Sequence, residues 1–62
     1  MRDYTNAEIE AAIDAVIHKD RDRRILKRRL IDGIVFEKLS EEFELSVRQT
    51  KRIVYMAQDK LF

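Results

Sequence analysis

A compact all-α bundle of about four helices is the fold class this sequence predicts, and three observations predict it. The chain of 62 residues contains no proline and one glycine, Gly33, so little in it interrupts helices. Charged residues make up 40% of it and hydrophobic residues 45%, a mixture suited to short helices with one apolar face. Thr5 is followed three residues later by Glu8, and Ser46 by Gln49. Each pair is the sequence signature of a capping box, in which side chains satisfy the free N–H groups of a helix start. The length allows one domain over residues 1–62. A core of that size is marginal, so stability has to come from helix packing or from a partner.

Helix one begins at Thr5 and carries Ile9, Ala12, Ile13, Val16 and Ile17 at the spacing of one helical face. His18 follows, placed where an imidazole can interact with free carbonyls at the helix end. Helix two runs from about Asp20 to Ile31 with Ile25, Leu26 and Leu30 inward. Its acids come first and Lys27, Arg28 and Arg29 last, as the macrodipole prefers. Gly33 ends it, because glycine takes the left-handed conformation of helix termini at no steric cost. Helix three, about Val35 to Glu42, places Phe36, Leu39 and Phe43 together. A tight turn at Glu44 and Leu45 leads to Ser46, and helix four spans Val47 to about Lys60. The sequence has no repeats, low-complexity segments or linkers.

Charge is segregated along the chain, although the net value is only +1. Residues 1–17 hold one Arg against four acids, 18–30 seven Lys/Arg against two Asp, 31–45 one Lys against five acids, and 46–62 four cations against one Asp. The two positive segments either pair with the negative ones or line up a basic surface for a polyanion. In particular, the run Lys19 to Arg29 has two readings: pairing with acids of 37–44, or contact with a DNA backbone. Composition alone does not choose between them.

Several function classes find no support. There is one histidine and no cysteine, and neither a glycine-rich phosphate loop nor an Asp-rich calcium loop is present. Catalytic, metal-binding and cofactor-binding constellations therefore lack members, and the expectation is a non-enzyme without cofactors. Glu41 and Glu42 are adjacent on a helix and do not converge on a site. The longest uncharged run, Ile53 to Gln58, is too short to span a bilayer, and the amino terminus lacks a signal-peptide stretch. A cytoplasmic protein without membrane contact is expected, and the lack of cysteine is compatible with a reducing compartment.

Helix four carries the candidate site. At 100° per residue, Thr50, Ile53, Val54, Ala57 and Leu61 share one face, while Arg48, Arg52, Tyr55 and Asp59 fall opposite, with Lys51 at the flank. Arg48, Lys51 and Arg52 lie near the helix amino terminus, the positive end of its dipole. Cations there call for a negative partner. A short amphipathic helix, a tight turn and a longer helix with a polar outer face form the helix-turn-helix pattern, spanning about residues 35–61. In that pattern the second helix enters the major groove of double-stranded DNA amino end first. Arginine reads guanine O6 and N7 bidentately, glutamine suits adenine N6 and N7, and lysine or a serine hydroxyl holds phosphate. Ser46, Val47, Arg48, Gln49, Lys51, Arg52 and Tyr55 are the expected DNA-binding residues. For Tyr55, partner contact, DNA contact and plain exposure all fit.

From Asp20 to Leu61 the sequence resembles the carboxy-terminal promoter-recognition domain, region 4, of bacterial sigma-70 factors and related small helix-turn-helix proteins. The resemblance rests on "DRRILKRRLIDG", "LSEEFELS" and "SVRQTKRIVYMAQDKL", with the cap, the inward β-branched residue four positions on, and the closing Lys-Leu. It implies that helix four reads promoter DNA while the preceding helices brace it and touch RNA polymerase. By position, Val47, Arg48, Lys51 and Arg52 fall where the family contacts bases and phosphates. Gln49 and Tyr55 come from the helical projection alone. Glu44 stands where the family often has a turn glycine, Ser40 where it often has alanine, and Val47 at a commonly polar position. The chain has no segment for the downstream promoter element or for melting DNA, so a small chromosomal or phage-type transcription regulator is the economical reading. The rival is a protein-interaction module that presents its basic stripe to RNA polymerase or another acidic surface. A homodimer is also compatible, with exposed Met56 and Phe62 as candidate contacts.

Overall fold

The computed structural model describes residues 4–61, which form four helices: α1 (Asn6–Val16), α2 (Asp20–Leu30), α3 (Phe36–Glu42) and α4 (Val47–Leu61). Phe62, and with it one of the candidate dimer contacts, lies outside the described residues. Helices α2 and α4 pack on each other, and each also touches both remaining helices, whereas α1 and α3 make no contact. The pair α2 and α4 is thus the spine, flanked by α1 and α3.

One core serves all four helices. Ile13 of α1, Ile25 and Leu26 of α2, Leu39 of α3 and Val54 of α4 are at most 1% exposed. Ile9, Leu30, Phe36, Phe43, Leu45, Ile53 and Leu61 close its edges. The buried face of α4 is the one its periodicity predicts, Thr50, Val54 and Ala57, with Ile53 and Leu61 half-buried beside them. Val16 departs from the expected inward set. It stands at the last residue of α1 and is left exposed on the wall of a groove facing α4. Two hydroxyls are buried, and both are satisfied within their own helix turn: Thr50 Oγ1 donates to the Ser46 carbonyl at 2.9 Å and Ser40 Oγ to the Glu37 carbonyl at 2.7 Å.

The helix ends explain the connections. Thr5 and Glu8 form the capping box of α1, each side chain accepting the other's backbone N–H. At its far end the free carbonyls of Asp14 and Ile17 are taken by the Arg23 guanidinium, the former at 2.9 Å. Arg23 reaches back from α2 to do this, so the role anticipated for His18 is filled by a longer cation, and His18 is exposed. Gly33 adopts φ +70°, the left-handed conformation expected of it, and the Ile34 N–H turns back to the Arg28 carbonyl at 3.1 Å. Val35 precedes the first turn of α3 as its cap residue rather than lying inside the helix.

Between α3 and α4 the chain makes a Schellman motif. The Leu45 N–H donates to the Ser40 carbonyl at 2.9 Å and the Glu44 N–H to the Glu41 carbonyl at 3.4 Å, with Glu44 at φ +55°. This geometry satisfies the last carbonyls of α3 and turns Leu45 onto the core. A left-handed conformation costs an ordinary side chain about 1–2 kcal/mol. Glu44 bears that strain at the position where glycine would not.

Candidate nucleic-acid interface

The amino end of α4 is built by a second capping box. The Ser46 N–H donates to Gln49 Oε1 at 3.0 Å, and the Gln49 N–H donates to Ser46 Oγ at 3.0 Å. The Ser46 hydroxyl in turn points its proton at Gln49 Oε1, at 3.2 Å. Both side chains belong to the expected site, and both are engaged before any ligand arrives. The hydroxyl proton of Ser46 is committed, as is the carbonyl oxygen of Gln49. Only the Gln49 amino group remains free to donate.

Of the other expected residues, Val47 is half-buried in the first turn, while Arg48, Lys51, Arg52 and Tyr55 are exposed. They divide between two edges of the helix. Arg48 and Arg52, one turn apart, lie directly opposite the buried Thr50, Val54 and Ala57. Lys51 and Tyr55, also one turn apart, lie on the flank facing α3. There the Phe36 ring collects them: the Tyr55 ring stands edge-on at 5.8 Å between centroids and Lys51 Nζ lies 5.7 Å from the Phe36 centroid. Arg29 of α2 covers the same ring at 4.3 Å while donating to the Ile34 carbonyl at 3.0 Å. Phe36, expected only as core packing, is therefore also the platform that positions one edge of the site. Its role depends on a contact between helices that no local spacing in the sequence announces.

Electrostatically the amino half of α4 is uncompensated. Its first turn contains no acid, and among the described residues Arg48, Lys51 and Arg52 make no ion pair. The basic run of α2 behaves in the opposite way. Arg28 holds Glu42 of α3 through a fork of two bonds, at 2.6 and 3.2 Å, and Asp32 at 3.3 Å. Lys27 pairs with Asp14 at 2.9 Å and approaches Glu10 at 3.9 Å. Arg24 pairs with Asp20, Arg21 with Asp22, and Arg23 caps α1. Of the two readings of this run, pairing with the acids of 37–44 is seen among the described residues only for Arg28 with Glu42. The other cations from Arg21 to Arg29 are held by acids of α1 and α2, by carbonyls or by Phe36. The Arg28 guanidinium holds the Glu42 carboxyl below the usual carboxylate range, and Glu42 in return raises Arg28.

No protein-family model, curated protein or solved structure matches this chain. Function has to be argued from the site itself. The exposed edge offers planar guanidinium forks, an ammonium and a phenol on a rigid helix, which suits recognition of phosphates and base edges. Among the described residues no cluster of three or more His, Asp or Glu side chains lies close enough to hold a metal ion. No described helix is long and apolar enough to cross a membrane.

A groove of about 410 Å³ lies on the other flank of α4, between it and the end of α1. Its walls include Val16, Ile53 and Met56, and its rim carries Lys19 and Lys60. Met56 is 55% exposed.

Proposed function

We propose that the protein binds double-stranded DNA as a transcription regulator, with α3 and α4 acting as a helix-turn-helix and the amino end of α4 entering the major groove. One observation carries this reading. In a chain that gives every cation of α2 an internal hydrogen bond or ion pair, Arg48 and Arg52 in the amino half of α4 have none, and Lys51 has only the Phe36 ring. Such an arrangement raises the free energy of the unliganded helix and is relieved by a polyanion. The resemblance to region 4 of sigma-70 factors agrees with it. The function is binding, with no chemical step assigned to any residue.

The test is a fluorescence-anisotropy titration of random-sequence duplex DNA at about 50 and 200 mM salt, with an Arg48→Ala/Arg52→Ala variant alongside. Binding that weakens steeply with salt and drops in the variant is expected. Equal affinity of the two proteins for DNA would sink the groove model.

A second reading, a protein-interaction module, is favoured by the groove beside Met56. Val16, Ile53 and Met56 offer an apolar wall, and Lys19 and Lys60 beside Asp22 leave a small excess of positive charge, which suits an apolar segment carrying acidic groups, on RNA polymerase or another protein. Capture of polymerase by a protein that fails to bind DNA at low salt would favour it.

A further inference from the structure

Resting on the DNA-binding reading, we infer that the protein selects guanine-bearing sites through Arg48 and Arg52, and that Gln49 takes no part in reading adenine. By residue type alone, the amino end of α4 offers two base readers. Arginine donates two bonds to guanine O6 and N7, and glutamine recognises adenine by accepting from N6 while donating to N7. The adenine mode needs both ends of the amide. Gln49 Oε1 already accepts from the Ser46 N–H at 3.0 Å and from the Ser46 hydroxyl at 3.2 Å. Freeing it would leave the Ser46 N–H and hydroxyl without their partner and undo the reciprocal half of the capping box. The amino group that remains can make one bond to any acceptor in the groove, which does not distinguish adenine from guanine.

Arg48 and Arg52 carry no such commitment. Neither has a hydrogen bond or ion pair among the described residues, and both lie on the edge farthest from the core. Lys51 and Tyr55 sit apart from them, drawn toward Phe36, which suits the pair to phosphate rather than to base edges.

The experiment is selection of a preferred duplex from a random library, followed by affinity measurements on that duplex with single 7-deaza substitutions. Replacing guanine by 7-deazaguanine removes N7 while base pairing is kept, and 7-deazaadenine does the same for adenine. Because the change is made in the DNA, folding of the protein is not disturbed. A loss of about fivefold or more is expected at one or two guanines, with less than twofold at every adenine. The Gln49→Glu variant keeps the oxygen that serves the cap, lacks the amino group and adds a negative charge, so it should bind all duplexes more weakly while the same guanines stay sensitive to 7-deaza substitution. Larger losses at adenines, or a preference that Gln49→Glu erases, would overturn the inference. DNA binding without any selected sequence would overturn it too while leaving DNA binding intact. Absence of binding to any duplex at low salt would overturn the DNA-binding reading and this inference with it.

Discussion

Helices α2 and α4 carry most of the cations of this chain and dispose of them in opposite ways. On α2, each of Arg21, Arg23, Arg24, Lys27, Arg28 and Arg29 meets a carboxylate, a carbonyl or an aromatic face supplied by a neighbouring turn or helix. On α4, the Arg48 and Arg52 side chains meet nothing among the described residues, and Lys51 has only the Phe36 ring, at 5.7 Å. Supply accounts for the difference. Glu10 and Asp14 of α1, Asp20 and Asp22 of α2 itself, Asp32 in the turn after it and Glu42 of α3 all reach cations of α2. In α4 itself the only acid is Asp59, more than a turn beyond Arg52. A basic run thus acquires meaning only when its acids are located. Where they lie within reach, the run is structural, and where they do not, it is a surface held open.

A crossed pair of variants tests this contrast and carries the largest expected effect. Arg48→Ala/Arg52→Ala should reduce specific DNA affinity by about 2–6 kcal/mol, two bidentate contacts at 1–3 each. Its thermal stability should stay within about 0.5 kcal/mol of wild type, as for surface changes that remove no partner. Arg24→Ala/Arg28→Ala should do the reverse, lowering the thermal midpoint and leaving the sequence preference intact. Comparable losses of DNA affinity in both variants would erase the distinction between the helices.

Arg23 sharpens the structural side of the comparison. Its guanidinium closes the carbonyl end of α1 from α2, so it ties two helices together and has its donors committed to backbone oxygens. Arg23→Ala should cost about 1–2 kcal/mol of unfolding free energy in a denaturant titration, as loss of hydrogen bonds from a charged donor does. Arg23→Lys should recover little of it, because an ammonium lacks the fork that spans the two carbonyls.

Much of this was legible in the sequence, and the parts that were not share a cause. Both capping boxes, the four helices and the buried face of α4 follow from spacings within single helices, where side-chain neighbours are three or four residues apart. Gly33 was legible for the same reason. The platform at Phe36, the capping by Arg23 and the partners of Lys27 and Arg28 arise between helices, and periodicity does not specify which residues meet there. Val16 shows the limit within a helix: its spacing is right, yet α1 ends at it and the groove leaves it uncovered. Glu44 shows another. The turn was legible, but its left-handed residue carries a side chain that argues against that conformation. Glu44→Gly should therefore stabilise the fold by about 0.5–1 kcal/mol, read as a raised denaturant midpoint, with strain relief offset in part by the freer unfolded chain. A loss of stability would mean that the Glu44 side chain contributes more than its backbone costs.

Lys51 lies between the two classes of cation, exposed like Arg48 yet drawn toward an aromatic ring. If it serves a phosphate, Lys51→Ala should weaken binding to all duplexes by a similar factor and reduce the slope of log affinity against log salt by about one. An altered sequence preference would instead place Lys51 with Arg48 and Arg52 among the base readers.

The smallest effect comes from acid, and it acts on α2 alone. Glu42 titrates below its ordinary value of 4.5 because Arg28 bonds to it. A depressed carboxylate favours the folded state above its unfolded value, and that contribution disappears as pH falls through the folded value. The Arg28–Glu42 pair is about one third exposed on each side, so solvent screening keeps its share modest. The thermal midpoint of Glu42→Gln should lie below that of wild type near pH 7, and the gap should narrow as pH falls below 4.5 and close below the folded value of Glu42. The raised Arg28 value acts only at strongly alkaline pH and leaves this window unchanged. For Arg52→Ala no gap should open at either pH, since no carboxylate depends on Arg52. Acid thus removes the Glu42 partner of Arg28, while the carbonyl partners of Arg23 and Arg29 stay in place, so the contrast between α2 and α4 narrows without vanishing.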